Sequence, residues 1–162
     1  MERKCEILTS LIGSIVLAHY YALLEHWIDW QKVAEFFDRL PVKGLISAYH
    51  YLFMFSLFMF IGGLPLLDDL IFRPSERNLR LSISTAVGNC LLTALVEDMA
   101  YYYLYDLTIT PASWTSNVIG YVIIYGICVP IWYPVIAVAI LFFYAIIFSE
   151  ELYICLRKIL NM

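Results

Sequence analysis

The chain has 162 residues, 62% of them apolar and 15% charged, against roughly 45–50% and 25% in an ordinary soluble domain. A mean hydropathy of +0.78 with 17% aromatic residues argues against water-soluble, disordered and disulfide-framework classes. The net charge of -4 is spread along the chain without a basic stripe, which argues against nucleic-acid binding. The expectation is a single transmembrane domain over residues 1–162, an all-α, integral membrane four-helix antiparallel bundle whose main partner is the lipid bilayer.

In chain order, the first apolar run covers residues 7–28. Basic residues precede it, as in a signal peptide, but no small-x-small cleavage site follows, and the run continues through His19 to Leu24. A retained helix is expected. Residues 29–41 place Trp30, Val33, Phe36, Phe37 and Leu40 at near-helical spacing among charges, which predicts an interfacial amphipathic helix in the first loop. Further spans are expected over 45–67 and 81–104. A fourth apolar stretch, 118–148, would measure about 46 Å as one helix against a core of about 30 Å. Pro130 and Pro134 predict a kink there, with two short spans as the alternative.

Orientation follows from the basic residues. Arg3, Lys4, Arg73, Arg77, Arg80, Arg157 and Lys158 fall on one side of a four-span arrangement, and Lys32, Arg39 and Lys43 on the other. The positive-inside rule then places both termini in the cytoplasm and the interfacial helix on the outer surface. Cys5, Cys90, Cys128 and Cys155 are scattered singly, so neither a zinc ribbon nor a redox dithiol is expected. Asp69 and Arg73 are four apart and read as a surface pair on a helix emerging from the second span.

The ionisable residues inside the spans are His19, Glu25, His26, His50, Glu97 and Asp98, with no Lys or Arg among them. Each is costly in hydrocarbon and needs a proton, a partner or a cation. At 1.5 Å per residue, His19 lies roughly 18 Å above the inner edge, His50 roughly 22 Å, Glu97 and Asp98 roughly 24–26 Å, and Glu25 and His26 roughly 27–28 Å. Three helices therefore bring polar side chains to one outer band. Asn89, Thr93, Glu97 and Tyr101 step by four along the third span, so this stripe is expected to face the interior, with Tyr101 phased to donate to Glu97.

Imidazole with carboxylate suits a divalent zinc, iron or manganese ion. His26, His50, Glu97 and Asp98 form the favoured ligand set, with Glu25 nearby and His19 in a deeper alternative. Asp98 would serve also as an acid/base group and Tyr101 as a supporting one. Neither H-E-x-x-H nor G-x-S-x-G occurs. The leading expectation is an intramembrane metal-binding protein, an enzyme acting on a lipid or lipid-soluble substrate. The alternatives are a proton-coupled transporter of a small molecule or ion and a non-catalytic accessory subunit of a membrane complex.

Overall fold

The computed structural model of the protein describes residues 2–27, 62–72 and 78–149, without the side chains of residues 2–4 and His26. The expected interfacial helix over 29–41, His50, and the second span up to residue 61 lie outside the described residues. The described part is mostly helical. Helix α1 covers Glu2–Trp27, α2 Leu64–Ile71, α3 Leu79–Leu104, α4 Trp114–Asn117 and α5 Trp132–Ile147; strands β1 (Tyr121–Ile124) and β2 (Ile127–Pro130) form a hairpin. Segments Cys5–Glu25 and Leu79–Leu104 are long and apolar enough to cross a membrane, and α5 is a shorter apolar helix.

Burial is inverted relative to a soluble bundle. The interior face of α3 consists of Ser82, Ser84, Thr85, Gly88, Asn89, Thr93, Glu97 and Ala100, whereas Leu79, Ile83, Met99 and Tyr103 are exposed. In α1, Ser14, Ala18 and Ala22 are buried while Leu8, Ile12, Val16 and Leu23 are exposed. Small residues inside let helices approach closely, and a bilayer would leave large apolar side chains no reason to turn inward.

Hydrogen bonds fix the helix directions. Asn89 meets Ser10 and Tyr105 meets the Leu23 carbonyl, so α1 and α3 run parallel. Tyr144 meets Asn89 and Tyr133 meets Asp98, so α5 runs antiparallel to α3. The start of α1 and the end of α5 thus share one end of the packing.

Two expectations are corrected. The first is a helix over 118–148 kinked at its prolines. Tyr121 pairs with Pro130 and Ile124 with Ile127, and Tyr125 and Gly126 close the hairpin with φ of 51° and 81°, the positive pair that a two-residue turn of matching twist requires. Val122, Ile123, Ile124, Ile127 and Val129 are β-branched, which suits a strand. Pro134 lies in the first turn of α5, where a missing N–H costs nothing, so it opens the helix rather than bending it. The all-α expectation accordingly gives way, among the described residues, to a helical fold with one small two-stranded sheet. The second concerns Asp69. It is 4% exposed, accepts a hydrogen bond from the Ser82 hydroxyl and accepts another from the Asn78 amide at 3.2 Å. It therefore ties α2 to the start of α3 from a buried position rather than a surface one; the pairing with Arg73 lies outside the described residues.

Candidate functional site

Glu97 and Asp98 are consecutive on α3, so helical geometry turns them about 100° apart and sends them to different neighbours. Glu97 is 4% exposed and faces α1, where its carboxyl lies close to that of Glu25. A hydrogen bond between two carboxyl groups needs a proton between them. Asp98, close enough to Glu25 to feel its charge, faces α4 and α5. It accepts from the Thr115 hydroxyl at 2.9 Å and from the Tyr133 hydroxyl.

Those two donors are themselves held. The Trp132 indole N–H points at both the carbonyl and the hydroxyl oxygen of Thr115, at 3.0 Å each, and the Trp132 and Tyr133 rings pack edge to face at 4.7 Å. Next to Thr115, Ser116 donates to the Thr110 carbonyl at 2.8 Å and touches the Cys128 sulfur at 3.5 Å. Thr115 and Ser116 are fully buried. The short α4 and the base of the hairpin therefore form a fixed cap over Asp98. Among the described residues, no buried side-chain nitrogen or oxygen lacks a hydrogen-bond partner.

Of the residues singled out from sequence, Glu25, Glu97 and Asp98 come together. Tyr101 is partly buried beside Glu25 and Glu97, with its ring 5.7 Å from Tyr102 and 5.5 Å from Tyr105. The phenol that hydrogen-bonds a carboxyl is Tyr133 on Asp98, rather than Tyr101 on Glu97. His19 is exposed, and its Nδ1 donates to the Ile15 carbonyl of its own helix at 2.8 Å, away from the carboxyl group. The side chain of His26 and the whole of His50 lie outside the described residues. Among the described residues, no three His, Cys, Asp or Glu side chains are arranged to hold a metal ion. Thr115, Trp132 and Tyr133 escaped the sequence reading because it followed ionisable residues, and the chain from 107 to 149 has none but tyrosines and Cys128.

A polar face leads away from this site along α3. Thr93, Asn89, Thr85 and Ser82 are all buried, one helical turn apart, and cover with Glu97 about 22 Å of axial length. Asn89 is the midpoint, donating to Ser10 of α1 at 3.0 Å and accepting from Tyr144 of α5 at 2.7 Å. The far end opens on a cavity of about 500 Å³ between α1, α2 and α3, lined among others by Glu6, Ser10, Asp69, Ser82 and Thr85.

The chain matches no family model, no curated protein and no solved structure.

Proposed function

We propose that the chain is a multi-pass membrane protein that couples proton movement to transport of a small molecule or ion, with the Glu25–Glu97 pair as its proton-carrying group. The observation that carries this reading is the close approach of two carboxyls contributed by parallel helices.

The polar face of α3 supports the same reading. Side-chain oxygens one turn apart are too distant for direct bonds, but bridging water spans such gaps. Ser82, Thr85, Asn89 and Thr93 would then link the cavity beside Asp69 to Glu97 across much of a hydrocarbon core about 30 Å thick. With both termini in the cytoplasm, the cavity is the inner opening and the carboxyl pair lies in the outer half.

The test is proton flux in proteoliposomes that contain a pH-sensitive dye, driven by a potassium diffusion potential. Wild-type protein acidifies or alkalinises the lumen according to the sign of the potential. Glu97→Gln, which keeps a hydrogen-bonding side chain of the same shape, abolishes the flux without loss of folded protein. Unchanged flux in Glu97→Gln overturns the reading.

The approach of Glu25 to Glu97 also favours a second reading, a divalent zinc, iron or manganese site completed by His26 and His50 and serving an enzyme of lipid-soluble substrates. Elemental analysis of the purified protein separates the two. Stoichiometric metal that falls in both Glu97→Gln and His50→Ala supports the metal site; its absence in wild-type protein removes it.

A further inference from the structure

The β1–β2 hairpin carries a surface that the proton-carrying site does not use. Successive strand residues point to opposite faces, yet Val122, Ile123 and Ile124 are exposed by 43%, 63% and 50% in turn. Among the described residues both faces of β1 are therefore uncovered. Tyr125 at the tip is fully exposed and Ile127 is 66% exposed. On β2 one face is held: Pro130 is buried, and Cys128, one rung from the turn, is 8% exposed and lies against Ser116; the Ile131 amide donates to the Gly120 carbonyl at 3.0 Å.

A two-stranded hairpin has little stability of its own and needs an apolar partner. With one face of β2 already against α4, a further protein surface would cover one face of β1 and leave the other wet, whereas lipid covers both faces of β1 and the tip. No charged residue occurs between Asp106 and Glu150, so nothing on the hairpin or its flanks opposes entry into an apolar phase. The hairpin also runs into α5, whose Val135, Val138, Leu141 and Phe142 are exposed and continue the same apolar surface. Depth is limited by the outer strand edges, whose N–H and C=O groups cannot be left unpaired in hydrocarbon. Water and headgroups satisfy them in the interfacial zone, which is also where tyrosine is enriched. The 16 residues of α5 span about 24 Å, short of a 30 Å core, so the hairpin base starts within the membrane boundary.

We infer that the Tyr121–Pro130 hairpin is a phospholipid-binding element, seated in the membrane interface with Tyr125 at headgroup depth. The inference rests on the membrane placement given under Proposed function, but not on proton carriage. Because β2 continues into Trp132 and Tyr133, this lipid seat also steadies the cap over Asp98.

The test uses the full chain in phosphatidylcholine vesicles, with Cys5, Cys90, Cys128 and Cys155 replaced by Ser and a single cysteine introduced as Tyr125→Cys or, as a control, Leu141→Cys. Each is labelled with an environment-sensitive fluorophore and exposed to lipids carrying a nitroxide at the headgroup, at carbon 5 or at carbon 12. The expected result is strongest quenching of the Tyr125→Cys label by headgroup and carbon-5 nitroxides, weak quenching by aqueous iodide, and quenching of the Leu141→Cys label by carbon 12. Strong iodide quenching of the Tyr125→Cys label without lipid quenching places the hairpin in water and overturns the inference. Protection from both quenchers shows that protein covers it and overturns the inference equally. If the Leu141→Cys label also escapes every lipid nitroxide, the membrane placement itself fails. Should the cysteine replacements prevent folding, a phosphatidylcholine carrying a photoactivatable diazirine near its headgroup decides on the unsubstituted chain: covalent lipid adducts on the Tyr121–Pro130 segment support the seat, and their absence there overturns it.

Discussion

Tyr144 donates its hydroxyl to the side-chain Oδ1 of Asn89 at 2.7 Å, while the Nδ2 of the same side-chain amide donates to Ser10 at 3.0 Å, so one fully buried side chain joins α5, α3 and α1. Asn89→Leu removes both bonds and leaves the Tyr144 hydroxyl without its partner. The expected loss is about 2 kcal/mol, with about 0.6–1 kcal/mol for Tyr144→Phe, because polar contacts between membrane helices are individually modest and unmade buried ones cost more. Unfolding of reconstituted protein with increasing dodecyl sulfate measures both. Equal losses in the two variants would show that Asn89 is not the shared centre.

The approach of Glu25 to Glu97 makes a spectroscopic prediction independent of transport. The proton held between two carboxyls gives a protonated-carboxyl carbonyl band in the infrared spectrum of the folded protein. Glu25→Gln and Glu97→Gln should each remove it, since either leaves one carboxyl that accepts from an amide. A band that survives one substitution unchanged assigns the proton to the remaining carboxyl alone.

The carboxyl cluster was legible in the sequence because it depends on two regular quantities, helical rise and helical phase. Counting 1.5 Å per residue brings Glu25 level with Glu97 and Asp98, and the step of four from Asn89 through Thr93 to Glu97 predicts one interior face. The hairpin was not legible in the same way. Residues 121–130 are apolar on every side, so neither a period of 2 nor one of 3.6 stands out, and length alone suggested a helix. The turn at Tyr125-Gly126 was the available signal. The burial of Asp69 is hidden in the sequence for a third reason: Ser82 and Asn78, which donate to it, are distant along the chain, and a local i,i+4 rule cannot see them.

A close approach at Gly62 gives a packing prediction. A Cβ added there would lie 2.9 Å from the Ala86 carbonyl oxygen and 3.0 Å from the Cys90 amide nitrogen. Both obstacles are backbone atoms of α3, which cannot turn aside as a side chain would. Gly62→Ala is expected to destabilise by about 1–3 kcal/mol, the usual range for overpacking. Gly88→Ala, where the nearest atom is the Phe143 Cβ at 3.4 Å, should cost clearly less. The dodecyl sulfate midpoints of the two variants check the order, and the reverse order would refute the close contact at Gly62.

The cap over Asp98 can be dissected by removing donors before removing the acceptor. Tyr133→Phe takes away one hydroxyl and Thr115→Val the other, and Thr115→Val also takes one of the two acceptors from the Trp132 indole. Each single change should cost about 1–2 kcal/mol, since Asp98 keeps one donor. The double variant strips both donors from a partly buried carboxyl, and its loss should exceed the sum of the single losses. Adding Asp98→Leu then eliminates the group that needed them, and apolar replacement of all partners in a buried network is nearly neutral or stabilising relative to a half-satisfied one. The triple variant should therefore be more stable than the double. If thermal unfolding in nanodiscs instead finds it less stable, Asp98 has partners beyond Thr115 and Tyr133, and the cap acts by packing rather than by donating to the carboxyl.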